Sequence, residues 1–208
     1  MTLKLMMFSD YVCPFCYIGF ETARRLKPEF DLRIEWRGFQ IHPDWPAEGM
    51  PAERFYGSMD PQSRRAAWGR IEALANDVGL AMKPPSVLTN SRLALEATEF
   101  AGESGRDESF EELVYRAYFF EGKNIADQKL LLELGEQSGL ERKALADALD
   151  SGRYSLKLKN TALAANSRGV SGVPTFFIGD FPLVGAQSED VMRQLLKRAT
   201  ERMAVADS

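Results

Sequence analysis

An α/β fold with a helical middle is the prediction for this 208-residue chain, and three features carry it. The opening reads strand, helix, strand. The close, from Val170 onward, reads strand, strand, helix. The stretch between them carries successive apolar stripes at helical spacing, so a helical segment is expected between a βαβ half and a ββα half.

Each element rests on particular residues. Leu3 to Phe8 is a short apolar run ended by Ser9-Asp10-Tyr11-Val12, a buried strand leaving into a turn. Tyr17, Ile18, Phe20, Ala23 and Leu26 then recur at helical spacing as far as Pro28, the expected end of the helix. Pro14 suits the first turn, where a missing N–H costs nothing. Asp31 to Arg37 alternates like a strand. In the middle, Leu93, Ala94, Ala97, Phe100 and Ala101 form one stripe, and Phe110, Leu113, Val114, Ala117 and Tyr118 a second. Leu130, Leu131 and Leu134 follow behind an Asp127 cap, then Ala144, Leu145, Ala148 and Leu149. Gly102, Gly122, Gly139 and Gly152 punctuate these helices, and Pro84-Pro85 marks a loop. Val170 to Asp180 reads as turn, strand, turn, and Phe181 to Gly185 as a further strand. Ser188 is expected to cap a last helix with Val191, Leu195 and Leu196 inward. No internal repeat recurs.

Composition narrows the function classes. Hydrophobic residues at 45% and charged residues at 27% are those of a globular chain and exclude wholesale disorder. At this length roughly 70% of the unfolded surface is buried, so no disulfide or metal staple is required. The 26 basic and 30 acidic residues leave a net charge of −4, which argues against a nucleic-acid partner. No run approaches the ~20 apolar residues of a membrane span, so no membrane partner is expected. Met1 to Phe8 is too short an apolar run for a signal peptide and lacks a small-residue cleavage site, which points to the cytoplasm.

Only two cysteines are present, in Cys13-Pro14-Phe15-Cys16. A structural disulfide here would constrain almost no chain entropy and would be opened in a reducing cytoplasm. Structural zinc needs four ligands, whereas the remainder of the chain offers His42 and no second cysteine pair, so no metal is expected. A dithiol–disulfide redox couple remains. Cys13 lies at a helix N-terminus, where unpaired N–H groups and the dipole stabilise a thiolate; Cys16 lies one turn inside. The expectation is an exposed attacking sulfur at Cys13, with a pKa below the ~8.5 of free cysteine, and a recessed resolving sulfur at Cys16.

Two polar neighbours admit two roles each. Asp10, three residues before Cys13, suits either an Asp turn at a strand end or proton transfer during resolution. His42, the sole histidine, precedes Pro43 in a turn-rich segment and reads as a rim residue or an auxiliary group. Trp36, Phe39, Trp45, Tyr115, Tyr118, Phe119 and Phe120 read mainly as packing, with a substrate groove as the alternative. Pro174 opens a strand, where one lost ladder donor is tolerated.

Several stretches together resemble the DsbA family, in particular its cytoplasmic FrnE-like branch. They are Ser9-Asp10-Tyr11-Val12-Cys13-Pro14-Phe15-Cys16-Tyr17-Ile18-Gly19, Trp36-Arg37-Gly38-Phe39-Gln40-Ile41-His42-Pro43, Asn90-Ser91-Arg92-Leu93-Ala94 and Ala117 to Ile125. Gly172-Val173-Pro174-Thr175-Phe176 and Val184-Gly185-Ala186-Gln187 complete the series. The resemblance implies a thioredoxin-like core in two halves, 1–45 and 158–208, around an inserted helical domain, 46–157. It also implies a cis proline at Pro174 facing the cysteines, with Val173 offering backbone groups to an extended substrate. Pro14 and Phe15 join them as substrate-binding candidates.

The expected activity is thiol–disulfide exchange on a protein or small-molecule substrate, with the redox-active disulfide as the only resident group and glutathione as an admissible co-substrate. Strongly oxidising relatives place a histidine between the cysteines. Phe15 donates no hydrogen bond, so the Cys13 pKa should be depressed less than in those relatives. The rival is a glutathione-dependent isomerase or transferase, similar to 2-hydroxychromene-2-carboxylate isomerases and kappa-class glutathione transferases, in which no resolving cysteine is needed. A redox-silent binding module beside Pro174 is a third reading. No oligomeric state is predicted.

Overall fold

The structure, a computed structural model, describes residues 2–206. The chain runs β1 (Leu3–Ser9), α1 (Pro14–Phe30), β2 (Leu32–Gly38), β3 (Met50–Pro51), α2 (Ala52–Tyr56), α3 (Pro61–Asp77) and β4 (Val87–Leu88). It continues through α4 (Arg92–Glu103), α5 (Asp107–Phe119), α6 (Gln128–Gln137), α7 (Arg142–Asp150) and α8 (Ser155–Ser167). β5 (Thr175–Ile178), β6 (Phe181–Val184) and α9 (Glu189–Ala206) close it. Met1 and residues 207–208, the outer limits of the two expected core halves, lie outside the described residues.

The main sheet has the order β2-β1-β5-β6. β1 pairs parallel with β2, as a strand–helix–strand crossover requires, and antiparallel with β5. This is the thioredoxin-like α/β arrangement that the resemblance implies. β1 is nearly continuous in apolar residues because it lies inside the sheet, with Leu3, Leu5, Met7 and Phe8 buried. Register then positions the site. Phe8 faces Thr175 and Ser9 faces Gly38, so the turn leaving β1 lies beside the residues entering β5.

α1 buries Tyr17, Ile18, Phe20, Ala23 and Leu26 as expected. It does not end at Pro28, which sits in the last turn. A proline there gives up one N–H bond while keeping a helical φ, and the half-buried Phe30 prolongs the packed face. Asp31, in the left-handed region at φ 45°, ends the helix. The inserted stripes fall on α4 to α7, and the Asp127 side chain accepts from the Lys129 N–H as a cap. Gly102 lies within α4 instead of ending it; Gly105 (φ 63°) makes the turn that follows. In α9, Val191 is exposed at 40%, and Met192 is fully buried with Leu196 one turn on. α9 packs on α1, with Leu196 and Leu195 turned inward as expected and Met192 taking the place expected of Val191.

α3 packs on the core through Trp68, Ile71 and Ala75, a narrow face, and α8 through Leu158 and Ala165, while Leu156 and Leu163 stay exposed. Polar contacts add to the hold on α8, Ser155 Oγ donating to Glu96 Oε1 at 2.8 Å and Lys157 pairing with Glu99. α8 spans the expected boundary between 157 and 158 without a break. A small β3–β4 pair anchors a separate cluster of Trp45, Ala52 and Leu88, on which Val12 packs.

Candidate active site

Cys13 is the N-cap of α1 and Pro14 its first helical residue. The turn is tight. The Cys13 N–H donates to the Asp10 carbonyl at 3.2 Å, and the Cys16 N–H to the Cys13 carbonyl at 3.0 Å. Both cysteines are free thiols. Cys16 is fully buried, as expected of a residue one turn inside the apolar face. Cys13 keeps only 7% of its surface, which corrects the expectation of an exposed sulfur. The cause is the opposing loop: Cys13 Sγ lies 3.5 Å from the Val173 carbonyl oxygen, to which the thiol donates.

That loop contains a cis Val173–Pro174 peptide bond. Pro174 is buried and Val173 half-buried, both directly against the cysteine pair or its helix. α1 approaches closely enough that a Cβ on Gly19 would fall 2.9 Å from the Phe176 ring and 3.4 Å from Pro174 Cγ. Glycine is therefore demanded by space at position 19. Pro14 is half-buried and Phe15 is 40% exposed, so these two form the open rim of the turn.

The two sulfurs are driven apart in acidity. Cys13 is held below the ordinary thiol range by a hydrogen bond from the Cys16 thiol, with the backbone N–H groups of Cys16 and Phe15 adding to it. Burial and the Asp10 charge oppose the shift. Cys16 is pushed well up, first by burial and then by its donation to Cys13, against a smaller favourable contribution from the Ser9 hydroxyl. Cys13 therefore gives up its proton more readily than Cys16, the ordering that nucleophilic attack followed by resolution requires.

Asp10 forms the Asp turn expected of it. Its Oδ1 accepts from the Val12 N–H at 3.4 Å, an Asp turn, while Oδ2 accepts from Ile41 N–H at 2.7 Å and the carboxyl is fully buried. Burial raises its pKa to about 6, moderated by the Ile41 and Ser91 hydrogen bonds. His42 is not brought to the sulfurs. It stacks face to face on Trp45 at 3.9 Å and edge-on to Phe55, and burial lowers its pKa. Of the aromatic residues, Trp36, Trp45, Tyr115, Tyr118 and Phe119 are buried packing, Phe39 is half-buried, and Phe120 is exposed beneath Lys83 and Arg116.

Ser9, Ser91 and Asn90, which carried no expected role, also enter the site, together with Tyr115, expected as packing. Ser9 hydrogen-bonds Tyr115 Oη at 2.6 Å, and Ser91 holds Asp10. Asn90 ties the surrounding loops, accepting from Gln40 Nε2 at 2.8 Å and donating to the Trp45 carbonyl at 2.7 Å. All lie in or near stretches that carried the resemblance, but spacing along the chain could not say that they converge. Among the described residues no group of three His, Cys, Asp or Glu side chains is arranged to hold a metal, and no helix is long and apolar enough to cross a membrane.

Comparison with known proteins agrees with this geometry. The chain is 31% identical over 203 residues to the uncharacterized protein YwbO of Bacillus subtilis (strain 168), covering 94% of this chain and 96% of that one. A probable DsbA oxidoreductase, SCO1869 of Streptomyces coelicolor, superposes with a TM-score of 0.87 at 24% identity, over 96% of this chain and 90% of that one. A 2-hydroxychromene-2-carboxylate isomerase superposes with a TM-score of 0.80 at 20% identity, over 99% and 100% of the two chains. One family model, DSBA-like thioredoxin domain, matches residues 4–197, nearly the whole length, and the chain belongs to that family.

Proposed function

We propose that the protein is a thiol–disulfide oxidoreductase in which Cys13 attacks and Cys16 resolves. The Cys13 thiolate attacks one sulfur of a substrate disulfide, and the other sulfur leaves with the electron pair. Cys16 then attacks Cys13, the mixed disulfide breaks, and its proton ends on the departing substrate sulfur. The substrate is reduced by two electrons and the Cys13–Cys16 pair oxidised; run in reverse, the same steps oxidise a dithiol. The observation that carries this reading is the Cys13–Cys16 pair in the first turn of α1 with Cys13 Sγ 3.5 Å from the Val173 carbonyl oxygen, and the opposite displacement of the two thiol acidities supports it. The Val173 backbone beside Cys13 offers the groove an extended substrate would pair with, Pro174 shapes it, and Pro14 and Phe15 form its rim. Glutathione, abundant in a reducing cytoplasm, is the proposed agent that reopens the enzyme disulfide, and the cytoplasm the proposed location.

Cys16 decides between this and the isomerase reading, because an isomerase that binds glutathione through the position of Cys13 does not need it. Replacing Cys16 with alanine should reduce disulfide turnover to background while a mixed disulfide accumulates on Cys13, observable by mass. Turnover that survives Cys16→Ala, or isomerase activity unaffected by it, overturns the proposal in favour of the isomerase.

A further inference from the structure

The Val173 carbonyl is held firmly in place and is nearly bare. The carbonyls on either side of it are taken: that of Gly172 accepts the Thr175 hydroxyl at 2.7 Å, and that of Pro174 accepts the Gly185 N–H at 2.8 Å. The Val173 side chain packs both on the main core and on the cluster of Phe8, Ala165, Val170 and Phe177, which fixes the peptide between them. Among the described residues the Val173 carbonyl accepts one hydrogen bond, from the Cys13 thiol at 3.5 Å, and the Val173 N–H meets no acceptor. A thiol is a weak donor; the backbone N–H of an extended chain is a stronger one.

Resting on the exchange reaction and the Val173 pairing proposed above, we infer that docking of an extended polypeptide itself favours release of the Cys13 proton: the incoming backbone N–H takes the Val173 carbonyl and weakens the hold of that oxygen on the thiol. A hydrogen bond that only the thiol can make keeps the proton on, because ionisation forfeits it. Ionisation also turns the carbonyl oxygen from a partner into a negative neighbour of the thiolate, and an N–H bound to that oxygen draws off its charge. The sign is the same whether the substrate N–H displaces the thiol or shares the oxygen through its second lone pair. The proton passes to solvent water, and the sulfur is left as the nucleophile. The other titratable groups facing Cys13 are Cys16 on the same helix and Asp10 in the turn before it; the loop carrying Val173, residues 170–174, brings none. Reactivity is thereby matched to occupancy, the sulfur being most nucleophilic when a chain lies across it.

Linkage makes this measurable without turnover, since a docked chain that favours the thiolate is favoured by the thiolate to the same factor. The probe is the cysteine-free tripeptide acetyl-leucyl-alanyl-leucinamide, its binding to the reduced protein followed by calorimetry. Binding should tighten about three- to tenfold as pH rises through the Cys13 alkylation midpoint, the value of one hydrogen bond. The gain should vanish in Cys13→Ala, which has no proton to lose there, and with the peptide methylated at its backbone nitrogens. It should persist in Asp10→Asn, where the neighbouring carboxyl no longer titrates. Below the midpoint, the Cys13 S–H stretch, assigned by its loss in Cys13→Ala, should move to higher wavenumber as peptide is added. Affinity that is flat with pH, a gain that survives in Cys13→Ala or is lost in Asp10→Asn, an unmoved S–H stretch, or no binding at all overturns the inference. A protein that binds the peptide with this pH dependence but does not turn over a peptide disulfide overturns the exchange reaction instead.

Discussion

Two fully buried carboxyl groups lie in different parts of this molecule and are treated differently by it. Asp10, in the turn leaving β1, accepts backbone N–H groups from Ile41 and Val12 and is helped by Ser91. Glu111, inside α5, has one carboxyl oxygen without any partner, and acidic neighbours Asp107, Glu108 and Glu99 face it. Burial is the same, yet Asp10 rises only to about 6 while Glu111 is held well above the usual carboxylate range. Hydrogen bonds to the ionised form hold Asp10 down, and the acidic neighbours add to the effect of burial at Glu111. The group beside the cysteines can therefore change charge near neutral pH, whereas the group inside the helical segment is held more strongly to its proton.

The largest expected effect concerns Glu111. The folded protein retains its proton to much higher pH than the unfolded chain does, so stability falls as pH rises above 4.5. Glu111→Gln mimics the protonated acid and should remove that slope, so the variant gains on wild type as pH increases. Urea unfolding midpoints between pH 5 and 8 check this, and parallel curves would show that Glu111 is already ionised.

Asp10 should give a smaller and bounded effect. An acid raised from 3.8 to about 6 costs on the order of 3 kcal/mol once ionised in the folded state. Stability is full below 3.8, declines as pH climbs to about 6 and is flat beyond. Asp10→Asn should abolish that decline and, by removing a charge that opposes the neighbouring thiolate, lower the midpoint of Cys13 alkylation by iodoacetamide. A midpoint that rises would mean that Asp10 assists the thiolate.

His42 marks the bottom of the scale. With Trp45 and Phe55 as its aromatic contacts, His42→Ala should leave the Cys13 alkylation midpoint in place and cost about 1 kcal/mol of stability from the lost stack. A displaced midpoint would return it to the site.

The strands of the main sheet, α1 and the four central helices were legible from short apolar runs bounded by turn residues and, in the helices, from the period of the buried face; β3 and β4 were not. α3 and α8 were not, since each packs through a narrow face, Trp68, Ile71 and Ala75 in the one and Leu158 and Ala165 in the other, with apolar residues such as Leu74, Leu156 and Leu163 pointing to solvent and blurring the period. In the site, Cys13 and Cys16 announced themselves by spacing. Ser9, Ser91 and Tyr115 did not, because a serine or tyrosine acquires a role only from what folding brings beside it.

By itself the chain of residues determined that a sulfur would stand at the start of a helix with a second one turn behind it, since both facts are local and follow from Cys13-Pro14-Phe15-Cys16 and the periodicity after it. Only the tertiary structure decided how far each sulfur is covered, which carbonyl faces it, and which acid beside it can lose a proton. Burial and electrostatics depend on all atoms within a few ångströms, and most of those arrive from β5, α4 and α5, far along the chain.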